Sequence, residues 1–539
     1  MRWHKRLLVA GVTGAVALTA SACAGGQVRG ADKTPRPSAS SGSSAPAAAQ
    51  ANEATFVYAP NLDVVTDWDP ATSYSNENIA MANIYESLTR YNTETKKPEP
   101  RLATEWSSAA DGKEWTFKLR QGVKFHSGKE LNADAAKAAI ERTMKLKGGP
   151  AYIWDSVKTI EAPDASTLKF TLKYATPLDL IASSGYAAYI YDADAVEQAK
   201  DGEGDAGTGP YTIDAWNKGK ETELTLKAFD DYWGGWTPEK YRKVAFRVTP
   251  ELTTAWQLLQ NGEVSFVQRL NPQLFDKAGA TSGVQTTQTA SFQNLLLLFN
   301  TGNGPLKDVN VRKAIQLALD YDGLAAALKG AGVKSSGLVP QGLLGYSAEQ
   351  APAQNLEEAA RLLSMADYGP DLNELKLTLT YAQGDADQQL MVTILSSALK
   401  KLNVTLQAKP LQWNAQWDQG KAKKQDIFVM YWYPDYADAY SWFLNVFRSS
   451  EKPEFNLSYL NNPEIDKAID ALPELTATDR DKAEQSYADL QKKILQDEAA
   501  AAVPYVQTYQ RALSAKVEGY VDNPAYPNVV FFYDLKPAG

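Results

Sequence analysis

The residues best able to do chemistry are scarce in this chain. Of 539 residues one is Cys, Cys23, and two are His, His4 and His126. A zinc or nickel site built on imidazole would have to rest on His126 alone once the first few residues are set aside, and Zn sites need three or four such ligands. His126 stands in "GVKFHSGKE", between an aromatic residue and a short turn, and reads as a satisfied structural or surface histidine. The run "DGEGDAGTG" from Asp201 offers oxygen atoms at alternating places, but Thr212 stands where a calcium loop needs its closing Glu. It reads as a solvated turn. There is no G-x-S-x-G elbow, no Walker loop, no H-E-x-x-H and no strand followed by G-x-G-x-x-G. Paired carboxylates can always be assembled from 64 acidic residues, so their presence decides nothing. The expectation is a protein that is not an enzyme and holds neither metal nor cofactor.

Cys23 has a context of its own. Arg2, Lys5 and Arg6 precede a short apolar run from Leu7 to Leu18, and Thr19 to Ala22 are all small. That is the build of an export signal. The run is too short to span a bilayer, which takes roughly 20 apolar residues. Residues 24 to 52 carry almost no large apolar side chain, as expected of a disordered linker. The folded body starts near Ala54 and is long enough for more than one core, since single cores rarely exceed roughly 250 to 300 residues. The formal charge of −9 grows by three when the basic signal is removed, which makes nucleic acid an improbable partner.

The body alternates between two periodicities. Short β-branched or aromatic-rich stretches, "TFVYAP" at 55, "EWTFKLR" at 114, "STLKFTLK" at 166, "GPYTIDAW" at 209, "TELTLKAF" at 222 and "KVAFRVT" at 243, predict strands. So do "NLLLLFN" at 294, "ELKLTLTYA" at 374, "VTLQAKPL" at 404 and "DIFVMYW" at 426. Helices are predicted from Asn132, from Asn310, and over "ATDRDKAEQSYADLQKKILQDEAAAA" up to Pro504. Gly207, Gly209 and Pro210 form a bend into a strand, and "DDYWGG" at 230 is an aromatic turn closed by two glycines. Strands mixed with helices over this length predict an α/β protein of two or more lobes.

"EWSSAADGKEWTFKLRQGVKFHSGKELNADAAKAAIER" at 105 resembles a long signature of the peptide, opine and nickel family of extracytoplasmic solute-binding proteins. "GTGPYTIDAWNKG" at 207, "DDYWGG" at 230, "FRVTPELTTAWQLLQNGEVSF" at 246, "LLLLFNTGNGPLKDVNVRKAIQLALD" at 295 and "YWYPDYADAYSWFLNVF" at 431 are similar to its later segments, with Ser265 where Asp is common. The resemblance implies a two-lobed periplasmic-binding-protein-like α/β fold with a cleft between lobes. It places a discontinuous first lobe at 53–87, 194–294 and 505–539, an inserted domain at 88–193 and a second lobe at 295–504. It also implies a monomer that delivers its solute to an ABC permease with ATPase subunits. "ASAC" with "AGG" resembles a lipobox, apart from Ala20 where Leu is commonest. Residues 1–22 would then be a signal peptide, Cys23 would carry acyl chains on the outer face of the cell membrane, and 23–52 would tether the body.

In peptide-binding members a W-x-x-D-Y element presents its Asp to the ligand's α-amino group, and "WYPDY" supplies Trp432 and Asp435 in that role. An ammonium buried in a cleft needs a carboxylate, because burying either charge alone is costly. Tyr433 and Tyr436 flank this pair, and Trp413 and Trp417 offer further aromatic surface. Small-peptide binders often place an Arg upstream of that Trp, yet "QDIFVMYW" has no basic residue. That departure weakens a strict dipeptide reading and leaves room for longer or blocked peptides. The expected ligand is a short oligopeptide, with an oligosaccharide stacked on Trp413, Trp417, Tyr433 and Trp442, or a nickel chelate, as the alternatives.

Overall fold

The computed structural model describes residues 54–61, 63–64, 68–199, 204–347, 353–366 and 375–538. The signal segment, Cys23 and the linker lie outside the described residues. So do Asp201 to Glu203 at the start of the glycine-rich acidic run.

Alternating stretches become strands because one side of each can be buried. They assemble into one large sheet in the order 404–411, 375–382, 427–432, 284–299, 505–514, 266–267, 55–59, 243–247, 222–228 and 211–216. Two long antiparallel strands, Val284–Phe299 and Tyr505–Ser514, form its middle. Residues 284–290 of the first pair with 508–514, and residues 294–299 pair with 427–432. The register shifts between Ala290 and Asn294. There Ser291 Oγ donates to the Gln507 carbonyl at 2.6 Å and accepts from the Gln293 N–H at 3.0 Å. The bulge thus marks where the strand leaves one half of the sheet and joins the other.

Each half has its own core. Leu295, Leu297 and Phe299 pack with helices Val309–Ala318 and Ala386–Lys401 on one side. Phe56, Tyr58, Phe246 and Phe532 make an aromatic core on the other. Outside the large sheet, a four-stranded antiparallel sheet runs in the order 103–108, 114–119, 167–172 and 157–164, backed by helix Ala133–Leu146. Asn132 caps that helix by accepting from the Ala135 N–H at 2.9 Å.

Three expectations change. The strand predicted at 294 begins ten residues earlier, at Val284, because the polar stretch "VQTTQTASFQ" pairs along 508–514 instead of facing a core. The long helix predicted up to Pro504 starts at Arg480 after the Asp479 cap, and Ala477 and Thr478 close the preceding helix. It ends in a π turn at Lys493–Asp497; Ala499 then adopts φ +47° and Ala501–Ala502 joins the sheet.

The third concerns the acidic run, where Asp205 is buried rather than solvated. Its carboxylate pairs with His126 Nδ1 and accepts from Thr212 Oγ1 at 2.6 Å and the Ile213 N–H at 3.0 Å. His126 Nε2 donates to the Gly209 carbonyl at 2.8 Å, so both ring nitrogens face acceptors. Burial disfavours the charged ring, but the Asp205 charge and these hydrogen bonds raise its pKa above the ordinary histidine value. Burial likewise opposes the Asp205 charge, and His126 with the other donors holds that pKa below the usual carboxylate value. The sign follows from linkage. The His126 contribution is complete below the unfolded-state value of about 6.5 and is lost as pH rises through the higher folded value. The Asp205 contribution is present above its unfolded value and lost as pH falls through the depressed folded one. His126→Gln should therefore destabilise the protein most in weakly acidic solution, with a gap to the parent that narrows above neutrality. Urea midpoints at pH 5.5 and 8.5 check this, and a pH-independent gap would contradict it.

Candidate functional site

The strand Ile427–Trp432 lies between 375–382 and 284–299 and carries "WYPDY" at its C-terminal end. Ile427 to Met430 are buried, and the chain turns at Pro434 and leaves Asp435 partly exposed. The Asp435 carboxylate accepts from the Tyr152 hydroxyl. Tyr152 Oη in turn accepts from Asn445 Nδ2 at 2.7 Å, on the π-helical turn Trp442–Phe447. Ser184 Oγ donates to the Asp435 carbonyl at 2.6 Å, which fixes the backbone at the same point. Burial pushes the Asp435 carboxyl up to about 6, against the Tyr152 hydroxyl and its own backbone N–H, which both lower it. No ion pair joins Asp435 to a described Lys or Arg. A carboxylate with one hydroxyl donor and no cation is suited to receive one.

The aromatic candidates separate into two groups. Tyr433 faces Tyr186, with ring centroids 6.4 Å apart, beside Asp435. Trp432 instead meets Phe455 edge-on at 5.0 Å, Phe455 meets Trp417 at 5.1 Å, and Trp417 meets Trp413 at 5.2 Å. These rings form a file ending at Trp413, which is 48% exposed. Tyr436 lies in the core with 6% exposure, and Trp442 is fully buried with Nε1 donating to Asn294 Oδ1 at 3.0 Å. Trp442 is thus a prop for the bulged strand and offers no stacking face. Tyr152, Ser184, Tyr186 and Asn445 were not singled out in the sequence. The first three lie some 250 residues or more before Asp435, and nothing local to them signals a shared site.

The motifs that bend the chain also converge. Glu86 is buried and accepts from Arg101 Nε at 2.8 Å, Thr208 Oγ1 at 3.0 Å, Tyr232 Oη at 3.1 Å and Trp233 Nε1 at 2.9 Å. The last two belong to "DDYWGG". Gly207 is required here, because a Cβ would stand 2.0 Å from the Ile84 carbonyl oxygen. Glu86 and Arg101 also line a small cavity together with Ser184, Tyr189 and Tyr526. Among the described residues no group of three or more His, Cys, Asp or Glu could hold a metal ion.

Residues 97–454 match the family of bacterial extracellular solute-binding proteins, family 5, across its middle region. The chain belongs to this family. It is 28% identical over 478 residues to a probable D,D-dipeptide-binding periplasmic protein of Escherichia coli, covering 86% of this chain and 90% of that protein. It is 25% identical over 487 residues to the dipeptide-binding protein of the same organism, covering 84% and 89%. Among solved structures, a Helicobacter pylori periplasmic binding protein in complex with the peptide STSA aligns with a TM-score of 0.77 at 22% identity, over 90% of this chain and 98% of that one. Brucella suis NikA in complex with Fe(III)-EDTA aligns at 0.78 and 21%, over 90% and all of that chain. The solute-binding protein has the two-lobed α/β fold of these structures, and it is not an enzyme.

Proposed function

We propose that this protein captures short peptides outside the cytoplasm and hands them to an ABC permease, holding the peptide's free amino end at Asp435. The observation that carries the reading is the partly buried Asp435 carboxylate, held by Tyr152 on a backbone that Ser184 fixes, and unmatched by a described cation. The names of the E. coli relatives point to the same ligand class. The cleft lies between a first lobe of residues 53–87, 194–294 and 505–539, carrying the inserted domain 88–193, and a second lobe of 295–504. Closure follows hinge motion at the bulge near Ser291 and involves no turnover. Trp432 and Tyr433 line the first side-chain pocket beside Asp435, and Tyr436 supports it from the core. The file of Trp417 and Trp413 flanks it. Native mass spectrometry after incubation with a tryptic digest of casein tests the reading. Retention of peptides from the digest, and not from the same digest after N-acetylation, is the expected result; equal retention of both would overturn it.

Anchoring is part of the proposal. Acyl chains on Cys23 hold the monomer at the membrane, and the linker keeps it near the permease at a high effective concentration. The mass of protein extracted from membranes should correspond to loss of residues 1–22 plus lipid on Cys23. Cys23→Ala should leave the protein unprocessed or released, and an unmodified Cys23 in membrane-extracted parent would contradict the anchor.

A further inference from the structure

Strand Tyr505–Ser514 carries a second polar centre, and it stands apart from Asp435. Arg511 and Asp522 form an ion pair with side chains 3% and 1% exposed, Nε donating to Oδ2 at 3.1 Å. Arg511 Nη1 donates to the Gln268 carbonyl at 2.7 Å. The remaining atoms of this group are buried and without hydrogen-bond partners: Arg511 Nη2, Asp522 Oδ1, Gln268 Oε1, the Tyr509 hydroxyl and Thr287 Oγ1. They share one place. Thr287 lies directly opposite Arg511 in the antiparallel pairing, which puts both side chains on one face, and Arg511 stacks 4.3 Å over the Tyr509 ring. Tyr509 interacts electrostatically with Tyr433, and Tyr433 with Asp435, so the cluster lies in the neighbourhood of the site already described.

Buried polar atoms are ordinarily paired, and a cluster that is not paired needs an explanation. The charges already cancel within the ion pair. A second carboxylate would stand beside Asp522 and leave Oδ1 and Gln268 Oε1 without donors. A group that both accepts and donates would satisfy the cluster: its oxygen takes a hydrogen from Arg511 Nη2, and its N–H gives one to Asp522 Oδ1. We infer that the Arg511–Asp522 pair, with Tyr509 and Thr287, is a subsite for an amide of the bound peptide beyond its amino terminus. The inference rests on the peptide reading above. It also fits "QDIFVMYW", which lacks the basic residue that would anchor the carboxylate of a short peptide.

Thr287→Val removes a hydroxyl that makes no hydrogen bond in the structure and should not lower the urea midpoint, whereas Tyr509→Phe removes one that also interacts with Ser291. Each should weaken the casein peptide best retained by the parent by about 3- to 10-fold, the loss of one hydrogen bond. Arg511→Lys, which keeps the charge beside Asp522, should weaken it more than either. Calorimetry with that peptide as free acid and as C-terminal carboxamide completes the test. Affinities within about threefold of each other are expected for an amide subsite, whereas a carboxamide that binds tenfold worse would assign Arg511 to the carboxylate and overturn the inference. Unchanged affinity in all three variants would also overturn it. If that happens while Asp435→Asn still abolishes retention, the peptide reading stands alone; if the parent retains no peptide, both fall.

Discussion

Asp435→Asn is expected to weaken peptide binding by roughly 30-fold to several thousand-fold, because truncating one partner of a buried charged pair costs about 2 to 5 kcal/mol or more. The substitution keeps the shape of the side chain and its approach to Tyr152, and removes one charge. N-acetylating the peptide should harm the parent almost as much and the variant far less, since the charge it deletes no longer has a partner. The pH dependence has a definite sign. The Asp435 carboxyl sits at about 6, and a proton there competes with the ligand ammonium. Affinity should therefore fall as pH drops through about 6 in the parent and stay flat in Asp435→Asn. Calorimetry on both proteins, with free and acetylated forms of one peptide, gives the complete cycle.

Glu86→Gln is expected to be the most damaging change to stability. It leaves Arg101 with a neutral amide in a buried setting where the guanidinium stacks 5.5 Å from the Trp233 ring. Removing one member of a buried ion pair typically costs about 3 to 5 kcal/mol, whereas replacing both members with apolar groups can be nearly neutral. The double variant Glu86→Gln/Arg101→Met should thus recover part of the loss. Urea midpoints of the two variants measure this. A single variant within about 1 kcal/mol of the parent would show that Thr208, Tyr232 and Trp233 hold this corner without the charge.

Much of the frame is legible in the sequence because its strands obey local rules. Each strand quoted above from "TFVYAP" to "DIFVMYW" forms, with limits shifted by a residue or two except for "NLLLLFN", which starts ten residues earlier, since alternation and β-branching survive whatever the neighbours do. What escaped was decided at a distance. The segment 284–293 is polar and becomes a strand only because 508–514 pairs with it, and "EAAAA" leaves its helix only because Leu297 and Leu298 offer a sheet edge. The acidic run had the composition of a turn, but His126, some 80 residues away, draws Asp205 inside. The site divides in the same way. Trp432 and Asp435 are readable as a local motif, whereas Tyr152, Ser184, Asn445 and the Arg511–Asp522 pair are brought in by tertiary packing. Trp442 misleads for the converse reason: an isolated Trp near a binding motif looks like a stacking surface, and only the fold reveals that Asn294 and the core enclose it.

The central claim is that the cargo is a peptide with a free amino end. Native mass spectrometry of the protein purified from its own organism, followed by release and fragmentation of whatever it carries, tests this most directly. The account predicts short peptides with unmodified amino termini, lost when Asp435 is replaced by Asn. A copurified oligosaccharide or metal chelate, retained equally by the parent and by Asp435→Asn, would contradict it.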